Sequence, residues 1–284
     1  MTQEELDEIL ERHKLWLESN GKKGKCADLR GADLEGANLR GTNLEGADLC
    51  EANLRWAHLQ FANLKGAKLE GADLRNAELC NAELCKADLH VAKLCMADLC
   101  NVDLREAYLY LADLRNACLP KANMCTAYLC GADLDCVNLE GSNLKGADLG
   151  RANLRSANLQ DADLRNARLE GAVLCGTDLR GTDLRGALLD LASWPLWCFS
   201  LHPVVDKHIA CQLLYHALAV MRGVDDDECK AVCNDPKVLG LANSFCPSTG
   251  RLTKLRRIVD KKKPDDAKRT KKTTRTTPKQ RKQK

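Results

Sequence analysis

An all-β solenoid is the fold class this sequence predicts, and three observations predict it. Leucine returns every fifth residue from Leu29 to Leu189, filling 32 of 33 such positions, with Met124 in the other. With that residue called i, position i−2 is Ala in 27 of the 33 units and Thr, Val or Ser in the rest. Position i+2 is often Gly or Asn, which tolerate φ > 0 and so turn a corner. A period of five fits neither a helix at about 3.6 residues per turn nor a strand at about 2. Both apolar residues point inward only if each unit makes one short straight side and then a corner. One coil of such sides buries almost nothing alone, so coils must stack.

The pattern Ala-(Asp/Asn)-Leu-X-X, as in "ADLRGADLEGANLRGTNLEGADL", resembles the pentapeptide-repeat family over residues 27–191. The resemblance implies a right-handed quadrilateral parallel β-helix with four pentapeptides per coil. That makes about eight coils and a rod of roughly 40 Å at ~4.8 Å per coil.

Four segments follow. Residues 1–25 read as an N-terminal helical cap and linker, since Leu6, Ile9, Leu10, His13, Trp16 and Leu17 recur at helical spacing and Gly21 and Gly24 loosen the chain after them. Residues 26–195 are the solenoid, closed by Trp194 in the next leucine position and by Pro195. Residues 196–250 read as a helical C-terminal cap or dimerisation module. Asp206 starts its helix and Gly223 ends it, with an apolar face of Ile209, Leu213, Leu214, Leu218 and Met221. Related quinolone-resistance proteins dimerise through C-terminal segments, so the resemblance leaves a homodimer open. Residues 251–284 are a basic tail with too few apolar residues to offset the entropy of ordering.

Charge separates these parts. Residues 27–191 carry 18 Lys/Arg against 25 Asp/Glu, a net of −7, while residues 251–284 carry 16 against 3, a net of +13. Such a tail is able to hold nucleic acid in a salt-dependent, sequence-blind way, or serves only as a solubilising arm. The first twenty residues are acidic and amphipathic rather than a basic start with an apolar core, which argues against a signal peptide. No apolar run is long enough for a membrane helix, so a cytoplasmic, non-membrane protein is expected. In that setting the 16 cysteines are expected as free thiols.

A core packed with four leucines and four small residues per coil leaves no interior room for substrate or cofactor, and no catalytic motif stands out. The chain reads as a non-enzyme, with no cofactor, metal or catalytic residue assigned. Eight cysteines between Cys50 and Cys175 fall at i+1, outward, and Cys80 and Cys100 stack as neighbours. Thiol ladders can bind soft metals, but the others do not align into a four-ligand set. His208, Cys211, Cys229 and Cys233 lack ordinary zinc-knuckle spacing, which leaves zinc or buried thiols open there.

The candidate site is an outward patch. Val91 and Leu111 share i+2 on consecutive coils, Tyr108 and Tyr128 share i−1, and Tyr110 lies between them with His90 below. Clustered exposed apolar residues mark partner surfaces. Trp56 and Phe61, on adjacent corners, make a second, smaller patch. The favoured function is a scaffold that meets a protein partner through its outer faces. The alternative is a DNA mimic acting on a type II topoisomerase, as in the quinolone-resistance relatives. Duplex DNA carries one charge per ~1.7 Å, roughly two dozen over the rod. The solenoid has a net of only −7, with Lys65, Arg105, Lys145, Arg165 and Arg185 down one side, and that ranks mimicry second.

Overall fold

The structure, a computed structural model, describes residues 1–189 and Ala192. The closing Trp194 and Pro195, the 196–250 module with its four candidate zinc ligands and its dimer face, and the 251–284 tail lie outside the described residues.

The chain opens with α1, Gln3–Glu18. Thr2 and Glu5 form a reciprocal capping box: the Glu5 N–H donates to Thr2 Oγ1 at 3.2 Å and the Thr2 N–H to Glu5 Oε2 at 2.8 Å. Leu6 and His13 are buried, and Ile9 and Leu10 pack partly against the core. The Ala27 N–H donates to His13 Nδ1 at 3.1 Å and the Lys25 N–H to the Arg12 carbonyl at 3.2 Å, so helix and first coil are bonded together. Gly24 does not loosen this joint. A Cβ there would lie 2.1 Å from the Arg12 carbonyl oxygen, at φ +71°, so only glycine permits the close approach.

From residue 28 onward every bridge is parallel and joins residues twenty apart, from Asp28↔Asp48 to Arg168↔Leu188. That spacing is the four-unit coil. Each side contributes a single bridged residue, i−1, rather than an extended strand, because five residues must also supply the corner. Every described corner residue i+2 is left-handed, from φ +48° at Val91 to +76° at Gly176.

The unit 97–101 shows where the backbone N–H groups go. Ala97 donates to Leu94 O across the corner at 3.0 Å. Asp98 donates to Ala77 O one coil down at 3.0 Å, while Leu99 and Asn101 donate one coil up to Cys118 O at 2.7 Å and Pro120 O at 3.0 Å. The remaining donor, at i+1, is Cys100, and it turns to Asp98 Oδ1 at 3.2 Å. Asp and Asn at i−1 thus have a structural role, since their side-chain oxygen accepts the one N–H the ladder does not use. Cys118 at i−1 offers no such oxygen, and there the i+1 residue is Pro120, which has no N–H.

Inside, every residue at position i from Leu39 to Leu189 is at most 1% exposed. Each buried leucine contributes about 1.5–3 kcal/mol. Polar residues at i−2 are tolerated when bonded. Thr177 Oγ1 donates to Leu154 O at 2.8 Å, and Thr182 Oγ1 to Leu159 O at 2.7 Å. Ser142 Oγ, also buried, has no partner. Among the described residues no helix is long and apolar enough to cross a membrane.

Candidate functional site

The solenoid's four sides differ outside although they match inside. On the side that carries Leu29, the bridged column i−1 reads Asp88, Tyr108, Tyr128, Asp148. Stacked twenty-residue steps force the two tyrosine rings into register: their centroids are 5.1 Å apart and their planes 4° from parallel. In the neighbouring i+1 column, His90 lies 4.9 Å from Tyr110. Tyr110 also reaches Tyr128 at 5.8 Å, and His90 reaches Tyr108 at 6.2 Å, so four rings form one continuous panel. Asp88 fixes the lower end, with His90 Nδ1 at 2.5 Å from its Oδ1.

The corner beside the panel is apolar. Val91 is 47% and Leu111 65% exposed. Leu111 lies over Gly131, where an added Cβ would stand 2.8 Å from Leu111 Cδ2. The five residues singled out in the sequence, Val91, Tyr108, Tyr110, Leu111 and Tyr128, therefore share one side and its corner. Tyr110 is half-buried rather than exposed, because its ring is sandwiched by neighbours. Burial, followed by the negative charge of Asp148, pushes its phenol pKa up. Trp56 and Phe61 stand exposed on separate corners, and the Arg40 guanidinium covers Phe61 at 5.2 Å.

Elsewhere the outer surface is a lattice of short ion pairs. Arg at i+1 forks onto Asp at i−1 of the same unit, as in Arg115 on Asp113 at 2.8 Å and Arg185 on Asp183 at 2.5 Å. The Arg30 guanidinium holds Asp28 down to about 2, and similar bonds lower Asp73, Asp113, Asp163, Asp178 and Asp183. These carboxylates are neutralised in place.

Two further features were not read from the sequence. An open cleft of about 700 Å³ runs between the end of α1 and the first coils, past Trp16, Leu17, Asn43, Glu45 and Lys65. And Cys80 and Cys100, expected as exposed thiols, are half-buried and joined as a disulfide with Cα atoms 4.6 Å apart. Cys50, Cys85 and Cys95 are free, as expected.

The family model "Pentapeptide repeats" matches in eight copies, over residues 27–60, 62–99, 96–129, 107–146, 126–161 and 152–190. Similar solved structures include HetL, a pentapeptide repeat protein involved in heterocyst differentiation regulation in the cyanobacterium Nostoc sp. strain PCC 7120. It is 31% identical over 63% of this chain and 92% of its own, with a TM-score of 0.34. A pentapeptide repeat protein of the Arabidopsis thaliana thylakoid lumen is 32% identical over 40% of this chain and 74% of its own, TM-score 0.34. QnrB1, a plasmid-mediated fluoroquinolone resistance protein, is 18% identical over 67% and 95%, TM-score 0.41. No curated protein matches the chain.

Proposed function

Because the chain belongs to the pentapeptide-repeat family and so to its right-handed β-helical fold, we propose that it is a non-enzymatic scaffold. Its aromatic panel and the Val91–Leu111 corner dock a protein partner. α1 caps the lower end of the stack, where an open coil would otherwise invite edge-to-edge growth.

One observation carries the reading. Val91 and Leu111, 47% and 65% exposed, stand beside the four stacked rings and make with them one contiguous apolar and aromatic face. Clustered exposed apolar residues mark partner surfaces, and the left-handed corner, common to the whole rod, only sets the direction in which Val91 and Leu111 project. Tyrosine at i−1 also forgoes the short side-chain oxygen that Asp or Asn supplies in 22 of 33 units. The stacked rings add stability of their own, and with the corner they present an apolar face to a partner. The occupant that fits is a protein surface with an apolar or aromatic anchor, with Asp88 and Asp148 forming the polar rim.

DNA mimicry is the weaker reading because the Asp–Arg forks blunt the field it requires and residues 27–191 carry a net of only −7. Binding to candidate partners tests both, using Tyr110→Ser with Leu111→Ser against a variant with the surface Asp residues made Asn. Docking on the panel predicts binding that resists high salt and is lost only in the first variant. Binding lost only in the second would favour mimicry.

A further inference from the structure

The Cys80–Cys100 pair lies on another side of the rod, the one that carries Leu39, and the panel does not use it. Among the described residues no other two cysteines stand twenty apart, so this is the solenoid's single stacked thiol step. A third ligand stands beside it: Asp98 places a carboxylate oxygen so that it and the two sulfurs all lie within 4.8 Å of one another. Asp98 is held there by the backbone, since its Oδ1 accepts the Cys100 N–H at 3.2 Å. Glu78, the acid beside Cys80, is engaged instead by His58 Nδ1 at 3.0 Å and by Gln60.

We propose that Cys80, Cys100 and Asp98 form a site for a thiophilic divalent cation of the zinc–cadmium class when the disulfide is reduced. Two thiolates on one tetrahedral zinc, at ~2.3 Å each, stand about 3.8 Å apart. With Cα atoms 4.6 Å apart, the two side chains reach that spacing after reduction by rotation of their own bonds, without backbone movement. The carboxylate supplies the third bond at ~2.0–2.2 Å, and the outward direction leaves a fourth position for water. Thiolates favour this class of cation over magnesium or calcium. The rod contributes rigidity: all three ligands hang from one inter-coil ladder, so the site is preorganised.

The test uses the full chain. A trialkylphosphine first opens the bond: its two electrons reduce the disulfide, phosphorus takes the oxygen of water, and each sulfur gains a proton. Cadmium binding then displaces those protons, and the thiolate-to-cadmium charge-transfer band in the ultraviolet reports it. Affinity is measured by competition with a chelator. Cys80→Ser and Cys100→Ser should each weaken the tightest equivalent by more than ~100-fold, and Asp98→Asn by ~10-fold or more. Asp98→Asn retains the oxygen that accepts the Cys100 N–H, so its loss reads as ligand loss rather than unfolding. Cys95→Ser should change nothing, and the unreduced chain should lack the tight equivalent. If that equivalent keeps its affinity in either cysteine variant, or is indifferent to Asp98→Asn, the site is not the one proposed.

Discussion

Tyr108 and Tyr128 lie ring over ring on successive coils, 5.1 Å between centroids and 4° between planes. Nothing in either tyrosine's own sequence neighbourhood produces that contact. The twenty-residue bridge between their backbones does, and it makes any two residues in one column direct neighbours.

The inward and outward registers should differ sharply in mutational cost. Leu99 is 1% exposed, and Leu99→Ala should destabilise by roughly 2–5 kcal/mol through lost burial plus cavity. Arg115→Ala removes an exposed fork onto Asp113 that water already screens, and should cost far less than Leu99→Ala. Thermal melts of the two variants check this. Equal melting temperatures would contradict the register.

Ser142 is buried with an unpartnered hydroxyl in a position that is alanine in most units. Ser142→Ala should stabilise by about 1 kcal/mol, because it deletes a desolvated polar group and keeps the small volume. Thr177→Ala should not stabilise, since its hydroxyl is bonded to two carbonyls. Chemical denaturation of both variants makes the comparison.

How much of this was legible follows from what repeats. Leu99 and Ala97 could be placed inside from period alone, because the core demands the same residue in each unit. The grouping of Val91, Tyr108, Tyr110, Leu111 and Tyr128 followed once four units per coil was taken from the family resemblance. The left-handed φ of Val91 was not legible, since Gly and Asn at a corner signal φ > 0 whereas valine does not. Nor was the part played by Asp98. The signal was present, as Asp or Asn fills i−1 in 22 of 33 units, but it reads as surface charge until the i+1 N–H is seen to need an acceptor. The disulfide was missed because the cysteines were read as free thiols, although the Cys80–Cys100 adjacency itself was predicted.

His13 should make the N-terminal joint pH-sensitive. It is buried, its Nδ1 accepts from Ala27, and its Nε2 has no partner, so it is held neutral. Desolvation lowers its pKa below the ordinary 6.5, with Glu45 opposing. The unfolded chain therefore takes up the proton first as pH falls. The stabilisation is complete above about 6.5 and is lost progressively below it. His13→Asn keeps an acceptor at the Nδ1 position without titrating. Its melting temperature should fall less than wild type between pH 7.5 and 5. An equal fall in both would remove His13 from the account.

Relieving the strained corner should trade binding for stability. Val91→Gly and Leu111→Asn replace left-handed bulky residues with ones that accept φ > 0 and should stabilise by a few tenths to about 1 kcal/mol. The same variants should weaken partner binding. Stabilisation with unchanged binding would mean the corner is not part of the interface.

The most direct measurement places a photoreactive amino acid on each outer side in turn, at Tyr110, Arg115, Gln160 and Lys145, and illuminates the chain with its partner. Docking on the panel predicts crosslinks from position 110 that persist at high salt, with none from the other three. Crosslinks from 115 or 145 and none from 110 would place the partner on the charged sides and contradict the scaffold account.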